Sequence, residues 1–276
     1  MLQEYARGEV VPRDRMAGPD DEPARRRTRP MQPFFAFYGG KWRIAPSYPS
    51  PEHEQVIEPF AGAAGYATRH ADRQVTLIEA DPQIAALWSY LIRVSPSEIA
   101  RIPTLAIDET IDDLGDVAEE ARTLVGFWLN KGTSAPRRSP SAWMRSGIQP
   151  TSFWGEKIRA RIAAQVERIR HWRVIPGSFE EAPDAIATWF VDPPYEVGGA
   201  NYRTGVPDFA SVAAFVKSRR GLVIACEAEG ASWLPFRPHV VAKANESRTG
   251  GKKSREAVYV QRDGREVAPA QLSLYG

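Results

Sequence analysis

Cysteine is almost absent from this chain: Cys226 is the single one in 276 residues. A disulfide framework within the chain is thereby excluded, and a reducing cytoplasm is the compartment to expect. No apolar run approaches the length of a membrane span, and the first residues lack the apolar stretch of a signal peptide. The four histidines, His53, His70, His171 and His239, are scattered, so with one cysteine they suggest no metal site. Two phosphate-binding patterns are missing as well, G-x-G-x-x-G and the Gly-Lys-Ser/Thr of a P-loop, which disfavours a phosphorylated nucleotide as ligand. Cys226 itself closes the run Leu222-Val223-Ile224-Ala225 and reads as a small buried hydrophobe on a strand.

With 43% hydrophobic residues, the chain can build one good-sized core or a core plus an inserted lobe, and the second is expected. The net charge is only +2, but it is unevenly spread. Residues 41–130 carry 7 Lys and Arg against 14 Asp and Glu, whereas residues 131–173 carry 10 against 2, a basic block of +8. Charge concentrated in this way points to a polyanion partner. The plainer alternative is a solvated basic face. Residues 1–30 hold 7 arginines, 6 acids and few large apolar groups, too little to bury, and read as a disordered arm.

Strand-like and helix-like segments alternate, as a doubly wound α/β sheet requires. Strands are expected at 55–58, 75–79, 173–175, 188–191, 222–227, 240–243 and 257–261, and helices at 64–70, 82–93 and 208–219. Residues 95–172 form a mostly helical insert whose last helix aligns Ile158, Ile162, Val166 and Ile169. Ahead of that helix comes a basic, turn-rich loop, residues 130–140, followed by Trp143, Arg145, Phe153 and Trp154. Guanidinium groups mixed with aromatics suit phosphate anchoring and base-edge reading together. Residues 245–256 are long and basic enough to be a second loop touching DNA.

Chemistry concentrates at the strand ends. After the apolar run 187–191 comes Asp192-Pro193-Pro194-Tyr195. The two prolines cannot extend a central strand, so this corner offers a carboxylate, a free carbonyl and an aromatic face. A planar base with an exocyclic amine would use all three. An ordinary Pro-rich strand exit is the bland alternative. Upstream, Val56-Ile57-Glu58-Pro59-Phe60-Ala61-Gly62-Ala63-Ala64-Gly65 reads as an acid-ended strand and a tight small-residue loop before a helix. Glu79 closes the next strand about 20 residues on, where nucleotide-binding α/β units hold ribose hydroxyls.

Together these segments resemble the Dam-like class of adenine-specific DNA methyltransferases over most of residues 33–262. The segments that carry the likeness, in family order, are Phe37-Tyr38-Gly39-Gly40-Lys41-Trp42-Arg43, the Glu58-to-Gly62 loop, Glu79 and Asp192-Pro193-Pro194-Tyr195. The resemblance implies a mostly parallel, seven-stranded methyltransferase sheet formed by 31–94 and 173–276, with 95–172 as the target-recognition insert. It implies S-adenosyl-L-methionine as cofactor, held at its methionine end by Tyr38, Gly39, Gly40 and Lys41, bordered by Glu58, Pro59, Phe60 and Gly62, and gripped at the ribose by Glu79. Where many members have Asp-Phe for the cofactor's adenine, this chain has Ser178-Phe179 after Gly177, a hydroxyl and a ring in place of the acid.

On this reading double-stranded DNA is the partner, contacted by Lys131, Arg137, Arg138, Arg145, Lys252 and Lys253, and a restriction endonuclease counterpart is admitted. The target adenine would be flipped into the pocket beside Asp192 and Tyr195. Acceptors at Asp192 and the Pro193 carbonyl would stabilise the charge that grows on the amine as the methyl arrives. Two alternatives stay open. Cytosine N4 or RNA adenine could be the amine, although enzymes of those types more often carry Ser or Asn in place of Asp192. The chain could also be a non-catalytic DNA-binding protein that keeps a methyltransferase fold.

Overall fold

The structure is a computed structural model that describes residues 30–130, 132–146, 153–196, 203–242 and 254–267. The expected arm therefore lies outside the described residues except for Pro30, and so do Lys131, Lys252 and Lys253. Eight strands form one sheet: β1 (Gln55–Glu58), β2 (Gln74–Glu79), β3 (Arg173–Pro176), β4 (Ile186–Val191), β5 (Arg220–Ala228), β6 (Arg237–Ala242), β7 (Ser254–Arg262) and β8 (Arg265–Glu266). Seven follow the path β3-β2-β1-β4-β5-β7-β6, and the two-residue β8 pairs off that path with β7. The sheet is mostly parallel; β7 alone runs against its neighbours β5, β6 and β8. All seven expected strands are present, and β8 is the one that short alternation could not reveal.

The helices are α1 (Gly65–Arg69), α2 (Pro82–Arg93), α3 (Pro96–Arg101), α4 (Glu119–Trp128), α5 (Ala142–Arg145), α6 (Glu156–Ala163) and α7 (Phe209–Ser218). Local chemistry sets their starts. Asp81 accepts the Gln83 N–H at 2.9 Å with Pro82 at the first helical position, and Asp208 does the same for Ala210 and Ser211. The apolar stripe of α2, Ile84, Ala85, Leu87, Trp88 and Leu91, is buried against the sheet.

Residues 95–172 do not make a lobe of their own. Leu124, Val125, Phe127, Trp128, Trp154, Ile158 and Ile162 share one core with Val56, Tyr66, Leu77 and Trp88. The last helix of the insert also breaks: α6 ends at Ala163 and a 3-10 turn, Val166–Ile169, keeps Val166 and Ile169 pointing inward. Phe153 and Trp154, expected to face DNA, are buried, and the Trp154 indole donates to the Pro103 carbonyl at 2.8 Å. Several arginines of the basic block likewise serve the fold. Arg170 donates to the Ile92 and Val94 carbonyls at the end of α2, Arg159 to Ile102 at the end of α3, and Arg161 to Pro33. Cations are favoured where a helix leaves its last carbonyls unpaired. Arg137, Arg138 and Arg145 remain exposed.

Among the described residues no helix is long and apolar enough to cross a membrane, and no cluster of His, Cys, Asp or Glu could hold a metal ion.

Candidate active site

Sheet register creates a notch. Val56 pairs with Val75 and Thr188, and Glu58 with Leu77, so β1 stops two residues short of the end of β2 and one short of β4. Strand order also reverses at β1, since β2 lies on one side and β4 on the other. Open α/β sheets bind ligands in the crevice at such a switch point, outside the carboxyl ends of the strands. A cavity of about 350 Å³ lies there.

Most of the residues singled out by sequence meet in it. Tyr38, Gly39, Gly40, Lys41, Glu58, Pro59, Phe60, Gly62, Glu79, Ser178, Phe179, Asp192 and Pro194 all line the cavity. Pro193 and Tyr195 do not border it. Pro193 is buried, and Tyr195 turns toward β7, where its hydroxyl donates to Glu256 Oε2 at 2.5 Å.

The loop between β1 and α1 is held from three sides. Gly62 and Ala64 both have positive φ, 45° and 46°, a conformation Gly adopts freely and Ala only under constraint. Glu79 supplies that constraint, accepting the Gly62 N–H at one oxygen and the Asp81 N–H at the other, each at 2.8 Å. The Trp88 indole donates to the Gly62 carbonyl, also at 2.8 Å. Glu79 thus builds the loop. Burial raises its pKa. Glu58 is more fully enclosed: it accepts the Ala67 N–H at 2.5 Å in the first turn of α1, and burial, with Asp192 nearby, pushes it up to about 8.

Lys41 is brought to the cavity by the aromatic segment before it. Phe34 and Phe35 pack against Trp88, and Phe35 and Phe37 against Phe127. The Lys41 ammonium, 5% exposed, donates to the Gly39 carbonyl at 2.8 Å and lies 3.0 Å from Asp192 Oδ1. It therefore addresses the Asp192 corner directly. Burial raises the Asp192 pKa to about 6, Lys41 opposes that rise, and the Glu256 charge adds to it.

At the far end Phe60 stacks on Phe179, with centroids 5.3 Å apart, and Phe179 meets Phe215 edge-on. The Ser178 hydroxyl accepts the Glu180 N–H as cap of the 3-10 turn Phe179–Glu181. Sequence reading had not included Ser134, Asp81, Glu180, Arg203, Asp208 or Ser211, which also line the cavity. Arg203 pairs with Asp81 at 3.6 Å and donates to Gln83 Oε1 at 2.5 Å, tying the segment before α7 to the start of α2. No motif signalled that contact. Ser134 arrives because Arg137 N–H bonds the Gly126 carbonyl of α4 and Tyr38 N–H bonds the Thr133 carbonyl, bringing the basic loop to the cavity rim. Its arginines differ: Arg138 is paired with Asp112, while no ion pair engages Arg137 among the described residues.

No family model matches this chain, and no curated protein matches it. Among solved structures, a conserved hypothetical protein from Streptococcus pyogenes aligns over 81% of this chain and 92% of its own, at 13% identity and a TM-score of 0.34, a likeness too faint to carry any argument about fold or function.

Proposed function

We propose that this protein is a DNA methyltransferase that transfers a methyl group from S-adenosyl-L-methionine to the N6 amine of adenine. The observation that carries the reading is the charge of the cavity. Six acids line it, Glu58, Glu79, Asp81, Glu180, Asp192 and Asp208, of which Glu58 holds its proton at neutral pH, against two bases, Lys41 and Arg203, each already paired with an acid. Such a lining repels a phosphorylated nucleotide and favours a nucleoside that carries positive charge, which is what a sulfonium cofactor is. An acid at the β2 end for hydroxyls and the apolar Phe60 face beside it fit the nucleoside half. The mostly parallel sheet with seven strands along its path agrees with the resemblance.

When bound, the cofactor supplies an electrophilic methyl group. The residues of the chain do the rest. Asp192, at the end of β4, is the acceptor that draws an exocyclic amine into line, and it stabilises the positive charge that develops on nitrogen. Pro194 at the cavity wall keeps that corner rigid. Holding the two reacting groups in one enclosed space converts an encounter into a positioned reaction. Arg137 and Arg138 at the rim supply phosphate contacts outside the acidic cavity.

The test is incubation with methyl-labelled S-adenosyl-L-methionine and unmodified DNA, followed by digestion to nucleosides. Label in N6-methyladenosine's deoxy form is expected. Label in N4-methyldeoxycytidine, or only in RNA, would change the substrate, and no transfer would overturn the catalytic reading.

A further inference from the structure

Glu256 belongs to none of the motifs read from the sequence; it fell at the end of the expected loop 245–256. It stands instead inside β7, in register with Val240 of β6 on one side and Ala228 of β5 on the other, and it is 6% exposed. A carboxylate is rarely buried without a partner. One partner here is the Tyr195 hydroxyl, which donates to Oε2 at 2.5 Å across 61 residues of chain. The opposite constraint on Tyr195 comes from Lys41, whose ammonium lies 4.7 Å from the ring centre. The ring is therefore pinned at its hydroxyl by β7 and covered on one face by the residue that also contacts Asp192.

We propose that Glu256 is a positioning residue of this site: by accepting the Tyr195 hydroxyl it fixes the ring against which the Lys41 ammonium rests, and so sets that ammonium against Asp192, the acceptor for the target amine. The proposal rests on the functional reading above for its substrate, and on the hydrogen bond alone for its mechanics. The backbone next to Tyr195 is held at Glu196. The Glu196 N–H bonds Glu227 Oε2 at 3.2 Å, a contact that fixes the backbone and leaves the ring angle open. A ring tied at its hydroxyl cannot turn about its side-chain torsions without breaking a short, charge-assisted bond.

Glu256 has a second, separable influence. The groups that act on Asp192 from the packed elements are Lys41, Glu58 of β1, Tyr48, Tyr195, Cys226 of β5 and Glu256 of β7. Glu256 is the acid among these that raises Asp192 most. Glutamine in its place can still accept the hydroxyl but carries no charge, whereas alanine does neither. The two variants therefore distinguish orientation from electrostatics.

The experiment uses the full chain with 3-fluorotyrosine placed at position 195, followed by fluorine NMR, together with methylation kinetics on unmodified DNA. Glu256→Gln should keep the single narrow line of the native protein and near-native kcat, with the acid limb of the pH profile moved to lower pH. Glu256→Ala should shift and broaden the line and lower kcat about tenfold or more, with little change in cofactor affinity. In a Tyr195→Phe background, Glu256→Ala should add almost nothing to the loss, since the two act through one bond. An unchanged fluorine line in Glu256→Ala overturns the proposal, as does an equal loss of kcat with and without the Tyr195 hydroxyl. A native protein that transfers no methyl group to DNA overturns the functional reading, and the fluorine line then decides the Glu256–Tyr195 restraint by itself.

Discussion

Lys41 and Asp192 form an ion pair that joins the two ends of the motif set, with Nζ 3.0 Å from Oδ1 and both side chains largely shielded from water. The sequence resemblance assigned Lys41 to the methionine end of the cofactor. Its ammonium lies against the acceptor expected to hold the target amine, and over the Tyr195 ring. In this position it acts on the protonation of Asp192.

The pH dependence of methyl transfer follows from that contact. Asp192 must be ionised to accept hydrogen bonds from an amine, and its pKa is raised to about 6, with Lys41 opposing the rise. Activity therefore falls as pH drops through about 6, where the carboxylate takes up a proton. Lys41→Met removes the opposing charge, so the pKa climbs further and the acid limb of kcat/KM moves to higher pH. A profile measured across this range checks the direction; a limb that stays in place would assign it to a group other than Asp192.

Asp192 and Glu79 stand at the ends of β4 and β2, on either side of β1, and should fail differently. Asp192→Ala removes the acceptor and should lower kcat by at least about a hundredfold, as loss of a preorganised charge-stabilising group does, with cofactor affinity largely kept. Glu79→Ala removes the carboxylate proposed to hold the ribose and also frees the Gly62 and Asp81 N–H groups. Cofactor affinity should fall about tenfold or more, a loss of roughly 1.4 kcal/mol or greater. Calorimetry with S-adenosyl-L-methionine separates the two, and the opposite pattern would exchange their roles.

DNA binding tests what remains of the basic block. Arg159, Arg161 and Arg170 are engaged with backbone carbonyls, so the phosphate contacts fall to the exposed loop. Replacing Arg137 and Arg138 together by Ala should weaken binding to all sequences alike and flatten the slope of log affinity against log salt by about 1.8, the value for two lost phosphate contacts. Arg145→Ala should instead relax the methylated motif at one position, at about 1–3 kcal/mol in discrimination. A slope and motif that both stay unchanged would make this loop a solvated face.

Legibility from sequence followed the range of each interaction. β1, α2 and the acids at the ends of β1 and β2 could be read because strand alternation, Asp81-Pro82 capping and strand-end position are local signals. The Asp192 corner was legible for the same reason. What stayed hidden depends on distant partners. Glu256 looked like loop because its worth comes from Tyr195, 61 residues away. Arg203 gained its place from Asp81 and Gln83. The arginines of residues 159–170 counted toward the basic block because charge counts do not show which guanidinium groups bond backbone carbonyls. Phe153 and Trp154 misled similarly: aromatics beside arginines fit a nucleic-acid face and a core edge equally well until their burial is known.

The Lys41–Asp192 contact also depends on a glycine that touches neither residue's side chain. Gly65 opens α1, and a Cβ built there would come within 2.5 Å of the Trp42 nitrogen and 2.9 Å of the Lys41 nitrogen. Both are backbone atoms, so no side-chain rotation relieves the clash. The Lys41–Trp42 segment is further held by the Trp42 indole bond to the Met31 carbonyl and by Arg69, which donates to the Trp42 carbonyl at 2.9 Å and stacks on its ring. Gly65→Ala must therefore move either the start of α1 or the segment that carries Lys41. Overpacking of this kind costs about 1–3 kcal/mol, and it should appear as a lower Tm together with a loss of kcat larger than the stability change alone explains. Gly155→Ala provides the comparison, because a Cβ there meets its nearest neighbour, the Phe153 carbonyl, at 3.9 Å. That variant should lose only the N-cap preference of Gly over Ala, about 1 kcal/mol or less, and keep its activity. Equal activity losses in the two variants would separate Gly65 from the placement of Lys41.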